Sequence, residues 1–140
     1  MATIDLSKLV TAEMKAQQTR RAQVAAIVIE RERRLAAGFA YDFGDSRGAH
    51  RIATTDQDMR GWDEVTKIAN AMIALGDQAS TIEIVTETGP VRVTAMEWQR
   101  ILIAAAAFRQ PIWSASFALQ AMAQIPADVT DDRYWISPGL

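Results

Sequence analysis

The hydrophobic pattern first predicts a long helix over residues 12–36. Its second half carries apolar side chains spaced three, four and seven residues apart, which places them on one helical face: Val24, Ile27, Val28 and Leu35. Thr11 is a suitable N-cap, and Gly38 is suited to end the helix because glycine readily adopts a positive φ. We therefore expect the second half of this helix to pack on the rest of the domain.

The first part of the same helix has a different pattern. Residues 13–23 (EMKAQQTRRAQ) are mostly polar, and few apolar side chains lie near them. Leu6, Val10 and Met14 have heptad-like spacing, but the run is too short to predict a coiled coil. A polar helix that leads into a domain often forms a stalk or pairs with copies of itself. We predict that residues 1–23 form an attachment segment in which Leu6, Val10 and Met14 contact a partner or a second copy.

A β-hairpin is predicted next. The aromatic residues of segment 39–43 (FAYDF) alternate with small or polar ones, the period-2 pattern of a half-buried strand. Residues 44–48 (GDSRG) are typical of a turn, and residues 49–52 (AHRI) alternate again on a return strand. This register predicts that Phe43 is buried and that Asp42 is exposed.

A second helix follows the hairpin. Thr54 and Gln57 have the spacing of a capping box, and Gly76 is suited to end the helix. The helical spacing predicts a set of inward-facing side chains: Trp62, Val65, Ile68, Ala69, Met72, Ile73 and Leu75.

The same order of elements then repeats about 40 residues further on. Alternating apolar positions predict two more strands: Ile82, Ile84 and Thr86 on the first, and Val91 and Val93 on the second. Thr94 and Glu97 form a second capping-box pattern, which opens a helix over residues 95–123. This helix is apolar almost all round near its middle, so we expect it to be covered on several sides or by a partner subunit. Pro111 is expected to kink or split it.

These elements predict an α+β fold. A long N-terminal helix leads into two β-hairpin–helix units that share one core, a small antiparallel sheet packed on helices. We place the domain at residues 24–124 and expect an extended tail at residues 125–140. In the tail, Tyr134 and Trp135 are predicted to contact either the domain or a neighbouring chain, as partner or oligomer contacts.

Composition restricts the function classes. The chain has 140 residues, 49% hydrophobic and 23% charged, and a net charge of −2, which fits one ordinary domain and gives no basic footprint for nucleic acid. The absence of cysteine excludes disulfides, zinc thiolate sites and cysteine nucleophiles. No signal-peptide pattern is present, and the most apolar run, Ile101 to Phe108, is too short to cross a bilayer. We therefore expect no nucleic-acid binding and no membrane insertion.

The tripeptide Asp42-Phe43-Gly44 matches the metal-binding DFG sequence of protein kinases. The chain is too short for a kinase and has no glycine-rich loop and no H-R-D sequence. Asp42, Asp45 and His50 cluster along the chain, yet they do not follow the order of a calcium-binding EF-hand, and a second histidine for a transition metal is missing. We interpret these residues as turn and packing residues and expect no catalytic residue, metal or cofactor.

Two alternatives remain open for chemistry. The 17 acidic residues leave an acid–base carboxylate pair possible, although no spacing indicates one. The tryptophans could stack on sugars or bases, but their helical spacing is more typical of core residues: Trp62, Trp98, Trp113 and Trp135.

Three stretches carry a family resemblance: YDFGDSRGAHRIATTDQDMRGWDEVTKIANAMIALG, then IEIVTETGPVRVTAMEWQRIL, then AAAAFRQPIWSASFALQAM. Together they resemble the phage and prophage domain family DUF4376, over residues 20–124. Its members join an Arg/Glu-rich helix to two strand pairs, each followed by a helix. Members often form the C-terminal module of a tail-fibre protein. We expect no long fibre shaft ahead of the domain in this chain, which also adds residues 125–140.

The resemblance implies a protein of the virion tail, located in the tail fibre, tail tip or baseplate and made in the bacterial cytoplasm. It implies other phage tail proteins as partners and a homo-oligomer, with a trimer favoured. No catalytic residues come with the family. Three functions follow as hypotheses: a structural tail component, a tail-fibre assembly chaperone absent from the virion, and a module that binds a host surface glycan.

Overall fold

Helix α1, Leu6–Ala36, begins six residues before its predicted start. In the computed structural model, which describes residues 5–136, Oδ1 of Asp5 accepts hydrogen bonds from the backbone N–H groups of Ser7 and Lys8. The prediction that Thr11 caps the helix is wrong. The Thr11 hydroxyl donates to the Ser7 carbonyl one turn earlier, at 2.8 Å, and a hydroxyl satisfied in this way does not interrupt a helix.

The end of α1 lies where the sequence predicts it. Gly38 has a φ of +66°, which L side chains rarely adopt. A Cβ atom at this position would overlap the carbonyl oxygen of Ile52. Gly38 thus lets the chain reverse direction against the first hairpin at close range.

The first hairpin consists of β1, Phe39–Asp42, and β2, Ala49–Ile52, paired antiparallel. Asp42 is exposed, as predicted. Phe43 is partly buried rather than buried, because it lies just beyond the end of β1. Its ring packs against the neighbouring core, and the Arg47 guanidinium lies 4.5 Å from the ring centroid.

Helix α2, Asp56–Ala74, is capped one residue later than predicted. Thr55 and Asp58 form the capping box. The hydroxyl of Thr54 is occupied elsewhere: it is buried and donates at 2.6 Å to the carbonyl of Leu35, near the end of α1. Because a helix leaves its last carbonyls without internal donors, Thr54 joins the end of α1 to the start of α2.

Only part of the predicted inner face of α2 is covered. Trp62 and Ala69 are buried, and Val65 and Met72 are partly buried against the same core. The prediction was wrong for three exposed residues, Ile68, Ile73 and Leu75. They lie on the edges of the apolar stripe or beyond it, where the described residues place no neighbour over them.

The second unit matches its prediction closely. Strands β3, Thr81–Thr86, and β4, Gly89–Thr94, pair antiparallel and turn their alternate apolar residues inward. Thr94 and Glu97 form the predicted capping box of helix α3, Ala95–Ala121. The two hairpins remain separate two-stranded sheets, linked by a hydrogen bond from the Glu87 N–H to the Arg51 carbonyl at 3.0 Å.

Helix α3 continues through Pro111, so the predicted split does not occur. Proline removes the donor that would serve the carbonyl of Ala107, one turn earlier. Both residues are exposed, so water can reach this carbonyl. An exposed proline therefore disturbs α3 less than a buried one would.

Two clusters of buried side chains stabilise the fold. The first core combines both hairpins with α2 and α3, which confirms that the two hairpin–helix units share one core. The second core lies between the C-terminal halves of α1 and α3 and the tail. Three tail residues, Ile125, Val129 and Trp135, are buried in it.

The tail is fixed to α1 by a charge cluster around the buried Glu30. Arg34 pairs with Glu30 at 2.8 Å and with Asp132 at 2.6 Å, and it donates to the Thr130 carbonyl at 3.0 Å. Glu30 also pairs with Arg33 and is only 3% exposed. A carboxylate buried this deeply is stable only because these guanidinium groups compensate its charge.

This cluster predicts a pH-dependent stability. Hydrogen bonds from Arg33 and Arg34 hold the pKa of Glu30 below its usual 4.5, although burial opposes them. A lowered folded-state pKa gives stability that is present above the ordinary pKa and is lost as pH falls through the folded value. We expect the urea concentration at the midpoint of unfolding to decrease as the pH falls below the usual 4.5 towards the lower folded pKa, and to decrease less in Glu30→Gln. Parallel curves for the two proteins would contradict this role of Glu30.

Helix α3 also bears on the expectation about membranes. Although the run Ile101 to Phe108 is too short, the whole of Ala95–Ala121 is long and apolar enough to cross a membrane by length and composition. A core helix passes the same test, and α3 contributes buried side chains to both cores. One side of the helix is nevertheless exposed, including Ile103 and Phe117.

Candidate attachment site

Nearly half of α1, at its N-terminal end, extends beyond the rest of the domain. Every residue from Leu6 to Thr19 is exposed. This segment, which we call the overhang, would be about 21 Å long at the usual helical rise. Four large apolar side chains in it are each more than half exposed: Leu6, Leu9, Val10 and Met14.

The overhang ends where α1 first contacts α3. The Arg20 guanidinium donates to the carbonyls of Gln120, at 2.9 Å, and Met122, at 3.2 Å. The Gln23 amide then reaches the Ile125 carbonyl at 3.4 Å. Arg20 thus satisfies backbone carbonyls that the end of α3 leaves without donors, and it marks the border between overhang and domain.

The overhang presents the same helical face that packs on the domain further along. Leu6, Leu9 and Val10 precede Val24, Ile27 and Val28 by 18 residues each. Eighteen residues are five turns of 3.6, so each pair lies on one line along the helix. Ile27 is fully buried, and Val24 and Val28 are partly buried. The overhang therefore repeats a packing face in a place where the described chain offers nothing to cover it.

The structure does not bring the predicted contact residues into one site. Leu6, Val10 and Met14 are in the overhang, with Met14 displaced to one side of the repeated face. Trp135 is 4% exposed, and its indole N–H donates to the Val129 carbonyl at 2.7 Å. The tail therefore contacts its own domain, which was one of the two interpretations that the sequence left open.

Tyr134 is partly buried beside Trp135, and its hydroxyl accepts a hydrogen bond from Arg133 at 2.8 Å. Arg34 of α1 contacts this part of the tail. Arg34 lies 20 residues from Met14, which corresponds to about 30 Å along the helix. The tail and the overhang are thus separate surfaces.

The acidic residues of the first hairpin form turn hydrogen bonds. Asp42 accepts from the N–H of Gly44 at 2.8 Å, and Asp45 accepts from the N–H of Arg47 at 2.9 Å. The Arg47 side chain hydrogen-bonds to Asp45 and holds the pKa of that carboxyl down, at about 2. Within residues 5–136, no three His, Cys, Asp or Glu side chains are grouped to hold a metal ion.

Arg47 and His50 instead join the two units. The Arg47 guanidinium pairs with Glu97 at the start of α3 and donates to the Arg92 carbonyl at 2.9 Å. Its hydrogen bond lowers the pKa of Glu97. The His50 ring is buried, with Nδ1 2.7 Å from Oγ1 of Thr86. These polar groups serve packing between the two hairpins, as the sequence suggested for His50.

The tryptophans do not form an exposed stacking platform. Trp62, Trp98 and Trp135 are buried, and Trp113 is partly buried beneath the Arg31 guanidinium, 4.1 Å from its ring centroid. Trp62 and Trp98 pack with ring centroids 4.9 Å apart. The glycan-binding hypothesis therefore gains no exposed tryptophan from the fold.

Sequence reasoning missed Leu9 as a member of the attachment face. It compared the apolar residues near the N-terminus only with one another, and the heptad spacing selected Leu6, Val10 and Met14. The 18-residue relation between Leu9 and Ile27 was a signal that could have found it.

No family model, curated protein or solved structure matches the chain in comparisons with known proteins.

Proposed function

We propose that this protein is a structural component of a bacteriophage tail, attached to another tail protein of the fibre, tail tip or baseplate through the overhang. The observation that supports attachment is the exposed apolar face of Leu6, Leu9 and Val10, which repeats the packing face of Val24, Ile27 and Val28. The tail context is taken from the resemblance of residues 20–124 to the DUF4376 family. The protein acts in this proposal by binding and has no catalytic role.

The overhang suits attachment for a physical reason. A helix buries an apolar stripe only when another element covers it, and burial of one leucine or valine side chain contributes roughly 1.5–3 kcal/mol. A partner helix or groove laid along the overhang would bury three such side chains in one contact. Residues 1–4 belong to the predicted attachment segment but lie outside the described residues. The resemblance favours a trimeric homo-oligomer in the particle.

A tail-fibre assembly chaperone is the second candidate function. The same exposed face would then bind the fibre during folding and release it before the virion is complete. The two functions differ in one measurable respect, because a structural component stays in the particle and a chaperone does not. A host-glycan module remains a third hypothesis, which no exposed tryptophan supports.

The test is mass spectrometry of purified virions of the phage or prophage that encodes the chain. We expect the wild-type protein in the particle. We expect the triple variant Leu6→Ser, Leu9→Ser, Val10→Ser to be made and folded but lost from the particle by at least about tenfold, because removal of three buried apolar contacts costs several kcal/mol.

Ile29→Ser is the matched control. Ile29 is an equally apolar residue of α1, 70% exposed, and lies off the repeated face. This variant should remain in virions. Absence of the wild-type protein from virions would reject the structural role in favour of the chaperone, and a triple variant that is still incorporated would reject attachment through the overhang.

A further inference from the structure

The outer face of α3 is apolar and uncovered. Ile103 is 71% exposed and Phe117 is 60% exposed, and Ala106, Gln110 and Ser114 are exposed between them. These five residues, which we call the α3 face, are spaced three, four, four and three apart, so they lie on one side of the helix. The buried residues of α3 lie on the opposite side.

The α3 face lacks the charges that a solvated helix face usually carries. Between Ile101 and Ala121 the only charged residue is Arg109, and its guanidinium is turned to the Thr54 carbonyl at 2.8 Å. Residues 133–136 of the tail border a groove with Gln110 and Ser114, but no described element buries the face. Ordinary monomers seldom leave two large apolar side chains and their small neighbours uncharged and open along one helix.

The sizes of the side chains on the α3 face are arranged symmetrically about Gln110. Residues seven positions away on either side are large and apolar, namely Ile103 and Phe117. Residues four positions away on either side are small, namely Ala106 and Ser114. In an antiparallel two-fold contact, positions equally distant from the axis on opposite sides face each other, so this arrangement places large side chains against large ones and small against small.

The sizes of these residues also fit a crossing pair of helices. Two helices that cross at an angle approach most closely at the crossing point and diverge towards their ends. Small side chains next to the crossing point permit close approach, and large ones further out fill the widening gap. Gln110 would lie on the axis, where its amide can both donate to and accept from the same amide of the second copy.

We propose that the α3 face binds a second copy of this chain, antiparallel and related by a two-fold axis at Gln110, with Ile103 against Phe117 of the other copy. This contact is separate from the proposed attachment through the overhang and does not depend on a role in phage tails. The face spans about 21 Å of helix and is smaller than a standard interface. We therefore expect a weak dimer whose population rises with protein concentration.

The antiparallel register gives a direct test, because the chain has no cysteine. A disulfide requires Cα atoms within about 7 Å of each other. In the full chain carrying Gln110→Cys, the two introduced thiols meet at the axis. We expect oxidation to convert this variant into a species of twice the 15.4 kDa chain mass, at least about tenfold faster than a variant with a cysteine elsewhere on the surface.

The control variants distinguish antiparallel pairing from parallel pairing and from random collision. Val85→Cys is the surface control, because Val85 is 83% exposed and lies on β3, away from α3. Ile103→Cys and Phe117→Cys should each fail to cross-link to themselves, because identical positions would lie about 21 Å apart. An equal mixture of these two variants should cross-link. Analytical ultracentrifugation should show that Ile103→Glu reduces the wild-type dimer to monomer and that Val85→Glu does not.

Several outcomes would overturn the proposal. One is a Gln110→Cys variant that oxidises no faster than Val85→Cys. Another is self-cross-linking of Ile103→Cys as fast as that of Gln110→Cys, which indicates parallel pairing. A third is a wild-type oligomer that persists in Ile103→Glu but is lost in Leu9→Glu. A fourth is a wild-type protein that stays monomeric and instead sediments with anionic lipid vesicles.

Discussion

Replacement of Trp98 with alanine is expected to lower the free energy of unfolding by about 4 kcal/mol. Trp98 is 2% exposed and is the largest of the fully buried side chains in the described residues. It packs against Trp62, and its indole N–H donates to the Thr66 hydroxyl at 3.0 Å. Its removal would leave a cavity between α2 and α3 and take away the donor of that hydrogen bond.

Urea denaturation followed by circular dichroism measures this effect. Leu75→Ala is the control, because Leu75 is a large apolar residue that is 85% exposed, and its truncation should change stability by less than about 0.5 kcal/mol. If Trp98→Ala does not fold, Trp98→Phe keeps most of the packing and loses the hydrogen bond, for an expected cost of about 1–2 kcal/mol. A Trp98→Ala protein as stable as Leu75→Ala would disprove the central place of Trp98 in the first core.

Gly38→Ala is expected to cost about 3 kcal/mol. The positive φ contributes about 1–2 kcal/mol for any L side chain, and the overlap of the new methyl group with the Ile52 backbone adds a cost of similar size. The backbone cannot retreat easily there, because Arg51 and Thr54 both hydrogen-bond to the end of α1. Thermal unfolding of the full chain provides the measurement.

Gly76→Ala separates the two causes. Gly76 has a φ of +73°, but no atom lies within 4 Å of a Cβ added there. It should therefore cost only the conformational part, about 1 kcal/mol. Equal losses for the two variants would mean that the close approach of Gly38 to β2 contributes nothing to stability.

The sequence predicted those elements that depend on local chemistry. The Thr94–Glu97 capping box and the glycine ends of α1 and α2 need only neighbouring residues, and each lies where it was expected. The inward alternation of β3 and β4 is likewise a local pattern, since one face of each strand meets the core.

The sequence was wrong or left alternatives open where a residue contacts a distant partner. Thr54 has the spacing of a cap, but its hydroxyl serves the Leu35 carbonyl, so the cap moves to Thr55. The burial of Trp135 depends on the tail returning to α1, which periodicity in the tail does not report. The overhang was predicted as a separate segment. That it shares a helical face with residues 24–28 is seen only when positions five helical turns apart are compared.

The exposed faces were only partly predictable. Apolar spacing assigned Ile68 and Leu75 to the inner side of α2, yet both are exposed, because only a narrower stripe of the helix meets the core. In α3 the near-uniform apolar composition indicated cover on several sides or by a partner. In the structure, other elements cover one side of α3, and Ile103 and Phe117 are exposed on the other side.

The second core has a consequence for how the chain can be divided. It is assembled from the first and last quarters of the sequence: Arg20 bonds to Met122 across 102 positions, and Arg34 reaches Asp132 across 98. A fragment covering residues 24–124 alone would strip Ile125, Val129 and Trp135 from Ile27, Leu35 and Leu119. An internal fragment therefore cannot retain the second core, because that core needs residues from both ends of the sequence.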